Sequence, residues 1–299
     1  MAATPLPLAA GSQLAGRTIG RRTLVGALLD LLAFGTSLVA LVPLFAVLYM
    51  LIQRGGRLLS IHLFTQLPPT AMEVGGGFGN AIVGTLIMVG IASAISVPFG
   101  LLVAIYLAEV GGKSRLADRV RFAAKTLTGF PSILAGVFAY GAVVVTTGGF
   151  SAWAGGIALS VLMLPTIILT GESAITSVPS GIREAAIGLG GTPLQVISTV
   201  TLPAALPSIF TGVMLAVARA AGETAPLLFT ALSSAFWPIA QGKVHLATPT
   251  ASLAVLIYNF SSSPYDNLNE MAWAASLVLV LLVLAINLAG RALGPKRLH

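Results

Sequence analysis

Residues Arg183 to Pro203 read R-E-A-A-I-G-L-G-G-T-P-L-Q-V-I-S-T-V-T-L-P. The stretch is polar, carries Ala and Gly, and lies between two long apolar runs. Of 299 residues, 56% are hydrophobic and only 8% charged, against about 25% charged in an ordinary soluble domain. The membrane is therefore the expected solvent, and this polar interruption must lie outside the lipid.

The apolar runs set the fold class. They cover roughly Leu24–Ile52, Ala81–Ala108, Phe130–Thr146, Trp153–Leu169, Ile209–Leu232 and Met271–Leu293. A helix needs about 20 apolar residues to cross the hydrocarbon core. The expectation is an all-α membrane protein with six transmembrane helices, the third and fourth short and joined as a hairpin at Thr147–Ala152. Residues 1–22 read as a flexible tail and residues 23–299 as the membrane domain. The first run is too long for the apolar core of a signal peptide, so it reads as a retained span.

Charge gives the orientation. Of 16 Lys and Arg, twelve fall on one side: Arg17, Arg21, Arg22, Lys113, Arg115, Arg119, Arg121, Lys125, Arg183, Arg291, Lys296 and Arg297. Arg54, Arg57 and Lys243 fall on the other, and Arg219 lies inside a span. Cytoplasmic loops carry the excess of basic residues. Both termini and the Arg183–Pro203 segment are thus expected in the cytoplasm of a bacterial inner membrane. The net charge of +7 follows from this topology and from anionic lipid headgroups; it does not point to nucleic acid. Cysteine is absent, which excludes disulfides, thiolate metal sites and a cysteine nucleophile. His62, His245 and His299 are isolated, without metal-ligand spacing.

Within the cytoplasmic segment, Ser180 after Pro179 has the form of a helix N-cap. Glu184 lies near the positive end of the helix dipole. Gly190-Gly191 is a stop, and Thr192-Pro193 a restart with Thr as cap and Pro in the first turn. The result is a helix–turn–helix across the cytoplasmic face, over about residues 180–207. Glu184-Ala185-Ala186, Gly190 and Leu202-Pro203 resemble the EAA loop of ATP-driven bacterial importers, with Val200 where Ile is usual. That resemblance implies that Arg183, Glu184, Ala185, Ala186 and Gly190 couple to an ATPase. The thin alanine face would seat in a groove, and the glycine would let the backbone bend. The chain has no ATPase of its own to offer. Gly112-Lys113-Ser114 is the only partial phosphate-loop match, and Leu107 stands where the first Gly is required.

Arg219 and Glu223 are the strongest site candidates. Counted from Ile209 at 1.5 Å per residue, Arg219 lies about 15 Å into the span, near the middle of a core about 30 Å thick. Glu223 follows one turn later on the same face, with Gly212 and Ala216 below. Charges at such depth face a protein interior or an aqueous path. The guanidinium fork suits a tetrahedral oxyanion, and a carboxylate beside it can accept a hydrogen bond from protonated phosphate but not from sulfate. A self-neutralising ion pair that locks helices is the other reading of the same residues. Asn80, Thr85 and Ser132 are weaker candidates to line a path, and Glu172 reads as part of the coupling region.

Ala216–Ala231, A-V-A-R-A-A-G-E-T-A-P-L-L-F-T-A, is similar to the signature of the PstA-type permeases of bacterial phosphate ABC importers. Gly79–Thr85, Phe99–Val110, Phe130–Ala139 and Ile182–Pro207 support the resemblance, which covers most of the chain after residue 20. It implies a type I ABC importer permease core of the MetI-like kind and inorganic phosphate as substrate. The implied partners are a homologous PstC-type permease, a PstB-type ATPase dimer that carries the ATP and Mg, and a PstS-type periplasmic phosphate-binding protein. No cofactor is expected in this chain. Import of sulfate, molybdate or phosphonate by the same architecture stays open, as does an ATP-independent carrier; an intramembrane enzyme lacks paired carboxylates or a His-based motif.

Overall fold

Apolar helices that must satisfy their own backbone groups in lipid account for nearly all of the computed structural model, which describes residues 21–112, 114–240 and 242–293. In chain order the helices are α1 (Arg21–Met50), α2 (His62–Thr65), α3 (Gly79–Ile105), α4 (Arg115–Thr128), α5 (Ser132–Ala139), α6 (Val145–Thr147) and α7 (Ala152–Thr176). They continue with α8 (Ser180–Gly188), α9 (Pro193–Val196), α10 (Leu202–Ala221), α11 (Ala225–Thr230), α12 (Leu253–Ser261) and α13 (Asp266–Leu293). A two-residue hairpin pairs β1 (Ile239–Ala240) with β2 (Lys243–Val244). π-helical turns at Leu51–Gly55 and Tyr106–Val110 extend α1 and α3, and those at Tyr140–Val144 and Ile197–Thr201 join α5 to α6 and α9 to α10. Arg17, Lys113, Lys296, Arg297, His299 and nearly all of the expected tail lie outside the described residues.

Five rods are long and apolar enough to cross a membrane: Val25–Leu58, Gly79–Val110, Ala152–Thr176, Pro193–Ala221 and Asp266–Gly290. A sixth arises if the bent pair Arg115–Thr128 and Ser132–Thr147 is one span. The two pieces meet at 105°. The expected basic loop after the second span is therefore a helix, α4. Ser114 caps it by accepting from the Ala117 N–H, and Ala117 and Ala124 form its buried edge. Its high charge hid it from a reading based on apolar runs. The hairpin between the third and fourth spans stands as expected: Gly148 turns at φ +77° and Ser151 caps α7.

The core is the contact between α3 and α7. Small residues let the two rods approach, as in other membrane helix pairs. A Cβ on Gly156 would lie 2.5 Å from Cγ2 of Ile91, and one on Gly100 would lie 2.7 Å from Cγ2 of Ile167. Met88, Ala92, Leu159, Met163 and Ile167 fill the seam, together with Ala216 and Ala220 of α10. A second cluster, Phe78, Ala81, Leu253, Leu256, Ala274 and Val278, seats α12 between α3 and α13.

Helix α12 lies between the fifth and sixth apolar runs and is absent from that reading. It is too short to span, and Ser252 starts it by accepting from Val255 N–H. Its docking corrects two expected path residues. Thr85 is buried, and its hydroxyl accepts from the Leu253 N–H at 2.9 Å. Asn80 is fully buried and donates to Ser234 O at 2.8 Å. Both satisfy backbone groups of the segment that folds over α3. Ser132 is the first residue of α5 and is half-buried.

A Cβ on Gly84 would meet Ala251 O at 2.0 Å, whereas Gly90 has open space around it. Gly84→Ala should therefore displace the start of α12 and cost about 1–3 kcal/mol, the usual range for overpacking. Gly90→Ala should be neutral. Thermal unfolding of the detergent-solubilised protein checks the pair.

Candidate functional site

The fifth rod carries the two strongest candidates, and its course differs from the expected Ile209–Leu232 helix. It starts at Pro193, where Thr192 and Gln195 form a capping box, and its last helical residue is Ala221. Gly222–Thr224 break it, and α11 follows. The cause is Pro226. It lacks an N–H for the Gly222 carbonyl, and its ring clashes with that group. The α-helices run on through Pro98, Pro165 and Pro207. The G-E-T-A-P order was a readable signal of the break, and the apolar-run reading passed over it.

The depth of Arg219 follows from its neighbour α7. A Cβ on Gly212 would lie 2.3 Å from Oγ1 of Thr170; earlier in the rod Ala205 clusters with Ala174 and Ile175, and later Ala220 clusters with Leu159 and Met163. The two rods are thus antiparallel. Arg219 lies seven residues beyond Gly212, about 10 Å along the axis, level with Met163 near the middle of Ala152–Thr176. The break at Gly222 follows within one turn of Arg219. Irregular backbone at membrane depth is tolerated only where protein buries it or it lines a water-filled cavity. Here α11 is held by close approach: a Cβ on Gly136 of α5 would lie 2.6 Å from Cα of Pro226.

Arg219 and Glu223 are brought together across the break, Nε to Oε1 at 3.3 Å. This is longer than the 2.7–2.9 Å of a strong charge-assisted bond. Among the described residues, Nε is the only Arg219 nitrogen with a hydrogen-bond partner, so both terminal nitrogens of the fork are unused. The Arg219 side chain is 42% exposed and the Glu223 side chain 16%. The small residues beneath them adjoin Arg219 on the helix surface, two turns and one turn before it. Gly212 and Ala216 are buried, and Gly212 packs on α7. Arg219 instead shares its exposed stripe with Ala204, Ser208, Thr211, Leu215 and Gly222. Only one of these five neighbours is a large apolar residue.

In the segment expected in the cytoplasm, α8 covers Ser180–Gly188. Pro179 occupies the cap position and no side chain caps the helix, so Ser180 is its first residue rather than its cap. Glu184 and Ala185 are exposed and Ala186 is half-buried. Gly190 makes the turn at φ +90°. Gly191 is needed as well, since a Cβ there would lie 2.9 Å from Ala186 O. Ile187, Leu189 and Leu194 are 56%, 91% and 75% exposed. Such exposure of large apolar side chains on a polar hinge marks a docking surface.

Arg183 points the other way. It donates to Ile175 O and pairs with Glu109 at 3.3 Å. Sequence reading grouped it with the outward-facing coupling residues because contacts 8 and 74 positions distant leave no local pattern. Arg121 was likewise missed. Its Nε pairs with Glu172 at 2.6 Å, and its other nitrogens reach Gly112 O, Asp118 and Leu107 O. Glu172 is therefore a brace between α7 and α4. Among the described residues no group of three or more His, Cys, Asp or Glu could hold a metal.

The family model described as "binding-protein-dependent transport system inner membrane component" matches residues 96–299. Among curated relatives, the phosphate transport system permease protein PstA of Yersinia pestis is 41% identical over 268 residues, 90% of this chain and 89% of that one. The PstA of Haemophilus influenzae is 41% identical over 87% of this chain and 90% of its own. PstA 1 of Mycobacterium tuberculosis H37Rv is 34% identical over 90% of this chain and 87% of its own. Among solved structures, a chain of a bacterial alginate ABC transporter aligns with a TM-score of 0.61 at 18% identity, over 91% of this chain and 94% of that one. A chain of the inward-facing MetNI methionine ABC transporter aligns at 0.55 and 22% identity, over 71% and 90%. These two show the fold, a type I ABC importer permease, as expected from the sequence.

The chain has no native cysteine, which allows a clean test of the exposed stripe. Cysteines at Thr211 and Leu215 should react with a charged thiol reagent at least about tenfold faster than one at Ala216, because only thiolates in contact with water react well. Rates of modification in membrane vesicles measure this.

Proposed function

The chain belongs to the binding-protein-dependent transport inner-membrane components, in their PstA branch, and from this premise we propose how it works as the permease subunit of an ATP-driven phosphate importer. The observation that carries the function is the 41% identity to PstA over nine-tenths of both chains. As a multi-pass membrane protein it forms the translocation path with a homologous PstC-type permease. A PstB-type ATPase dimer binds and hydrolyses ATP with Mg on the cytoplasmic side, where both termini of this chain lie. A PstS-type periplasmic protein delivers phosphate from the other side. The chain itself is not an enzyme.

Arg219 and Glu223 are the substrate-handling pair in this reading. A guanidinium with two unused terminal nitrogens can take two oxygens of a phosphate, and its side chain is already 42% exposed. The stripe it shares with Ser208, Thr211 and Gly222 faces the second permease across an aqueous path. A lipid-facing Arg at that depth would cost about 2.5–3.5 kcal/mol even on insertion scales. Glu223 keeps the arginine neutralised when the path is empty. When monohydrogen phosphate enters, its P–O–H donates to the Glu223 carboxylate; fully deprotonated sulfate has no proton to give and meets repulsion. Glu184, Ala185, Ala186 and Gly190, with Ile187 and Leu189 beside them, seat in the ATPase.

Cells lacking this chain should regain ATP-dependent uptake of labelled phosphate when it is restored. Arg219→Ala should lower uptake about tenfold to a hundredfold with the complex still assembled, since a charged hydrogen bond contributes about 1.5–3 kcal/mol. Arg219→Lys should fall between. Glu223→Gln should narrow the preference for phosphate over sulfate. Uptake of another oxyanion in place of phosphate would keep the machine and overturn the substrate; full uptake by Arg219→Ala would overturn the site.

A further inference from the structure

Two arginines grip the π-helical turn Tyr106–Val110 at the end of α3, one by its backbone and the other by a side chain. Arg121 holds Leu107 O at 2.9 Å while its Nε bonds Glu172 at 2.6 Å. All three of its nitrogens are engaged, so this brace ties α3, α4 and α7 together without slack. Arg183 reaches Glu109 of the same turn with Nη1 at 3.3 Å from Oε1. The contact is ionic, but Oε1 accepts no hydrogen bond, and Nε of Arg183 donates none, although both atoms are buried. The side chains are 22% and 11% exposed.

A pair taken out of water repays its desolvation only when its hydrogen bonds are complete. Here one good bond from each partner is unspent. A small shift of Arg183 toward Glu109 would complete them. The other contact of Arg183 fixes the pivot. Pro179 has no N–H, so it cannot donate to Ile175 O as an ordinary helical neighbour would; the Arg183 guanidinium does so, at a helix C-terminus where a cation is favoured. No residue of α8 is buried. Among the described residues, Arg183 is the only α8 side chain with a polar contact to the spans.

We propose that Glu109 and Arg183 form the joint through which movement of α8 is carried into α3, the ion pair tightening and loosening as α8 rocks on the Ile175 carbonyl. Glu109 and Arg183 are positioning residues: neither touches phosphate or ATP. The proposal rests on the importer reading above and deepens it, since α3 packs along α7, against which the Arg219 segment is seated.

The test uses the complete transporter in proteoliposomes, with ATP hydrolysis and labelled phosphate uptake measured on the same preparation. Glu109→Ala, Arg183→Ala and the double variant form a cycle. Each single change should lower phosphate moved per ATP hydrolysed about tenfold, and the double change by the same factor and no more, as for two residues in one interaction. Glu109→Asp should recover part of the ratio. Arg121→Ala should lower the yield of assembled complex with the ratio intact. Uptake and hydrolysis falling in parallel in the single variants, or a double variant with multiplied losses, would overturn the joint. A wild-type complex that hydrolyses ATP and moves no phosphate would overturn the importer reading, and the joint with it.

Discussion

A guanidinium held at the level of Met163, midway along α7, constrains everything around it. Hydrocarbon cannot solvate it, so the face that carries it must meet protein or water. In the isolated chain that face is open: Arg219 is exposed, with Thr211, Leu215 and Gly222 beside it. The rest of the molecule is arranged to hold this face out. Gly212 and Ala216, which adjoin the arginine on α10, pack against α7. Pro226 ends the helix one turn beyond the arginine, and α11 is locked by Gly136 of α5. Glu223 sits in the gap so formed, close enough to balance the charge and too far for a strong bond.

The end of the spans next to α8 follows a different rule. There the spans are tied by long-range ion pairs, Arg121 to Glu172 and Arg183 to Glu109, and both arginines converge on the last turn of the second rod. One pair is saturated with hydrogen bonds and the other is not. A fixed brace beside an incomplete one is what a lever needs, since a moving helix requires a rigid frame to push against. The exposed Ile187, Leu189 and Leu194 lie on the segment that hangs from this frame.

How much of this was legible in the sequence depends on the range of the interaction. Span positions follow from local composition: four of the six runs match long apolar rods to within a few residues at most ends, and the third is a span only if joined to α4 across a 105° bend. The cap at Thr192 and the turn at Gly190 are likewise local, and both stand. The fifth span failed at Pro226 because hydropathy does not register a missing N–H. Helices α4 and α12 escaped for opposite reasons, one charged and the other only nine residues long. Asn80 and Thr85 looked like path residues because polar side chains in a span suggest a pore; their partners, 154 and 168 positions away, are beyond any sequence pattern. Arg183 was placed correctly on its helix and wrongly on its face.

The central claim is that the exposed stripe of α10, with Arg219 at its middle, faces the second permease and receives phosphate. The most direct measurement is a high-resolution map of the assembled transporter trapped in the presence of phosphate. The account predicts tetrahedral density between the two permeases, within hydrogen-bond distance of the terminal nitrogens of Arg219 and with Glu223 beside it. A map in which lipid covers this stripe, or in which phosphate lies against another face of the chain while Arg219 stays on Glu223, would contradict it.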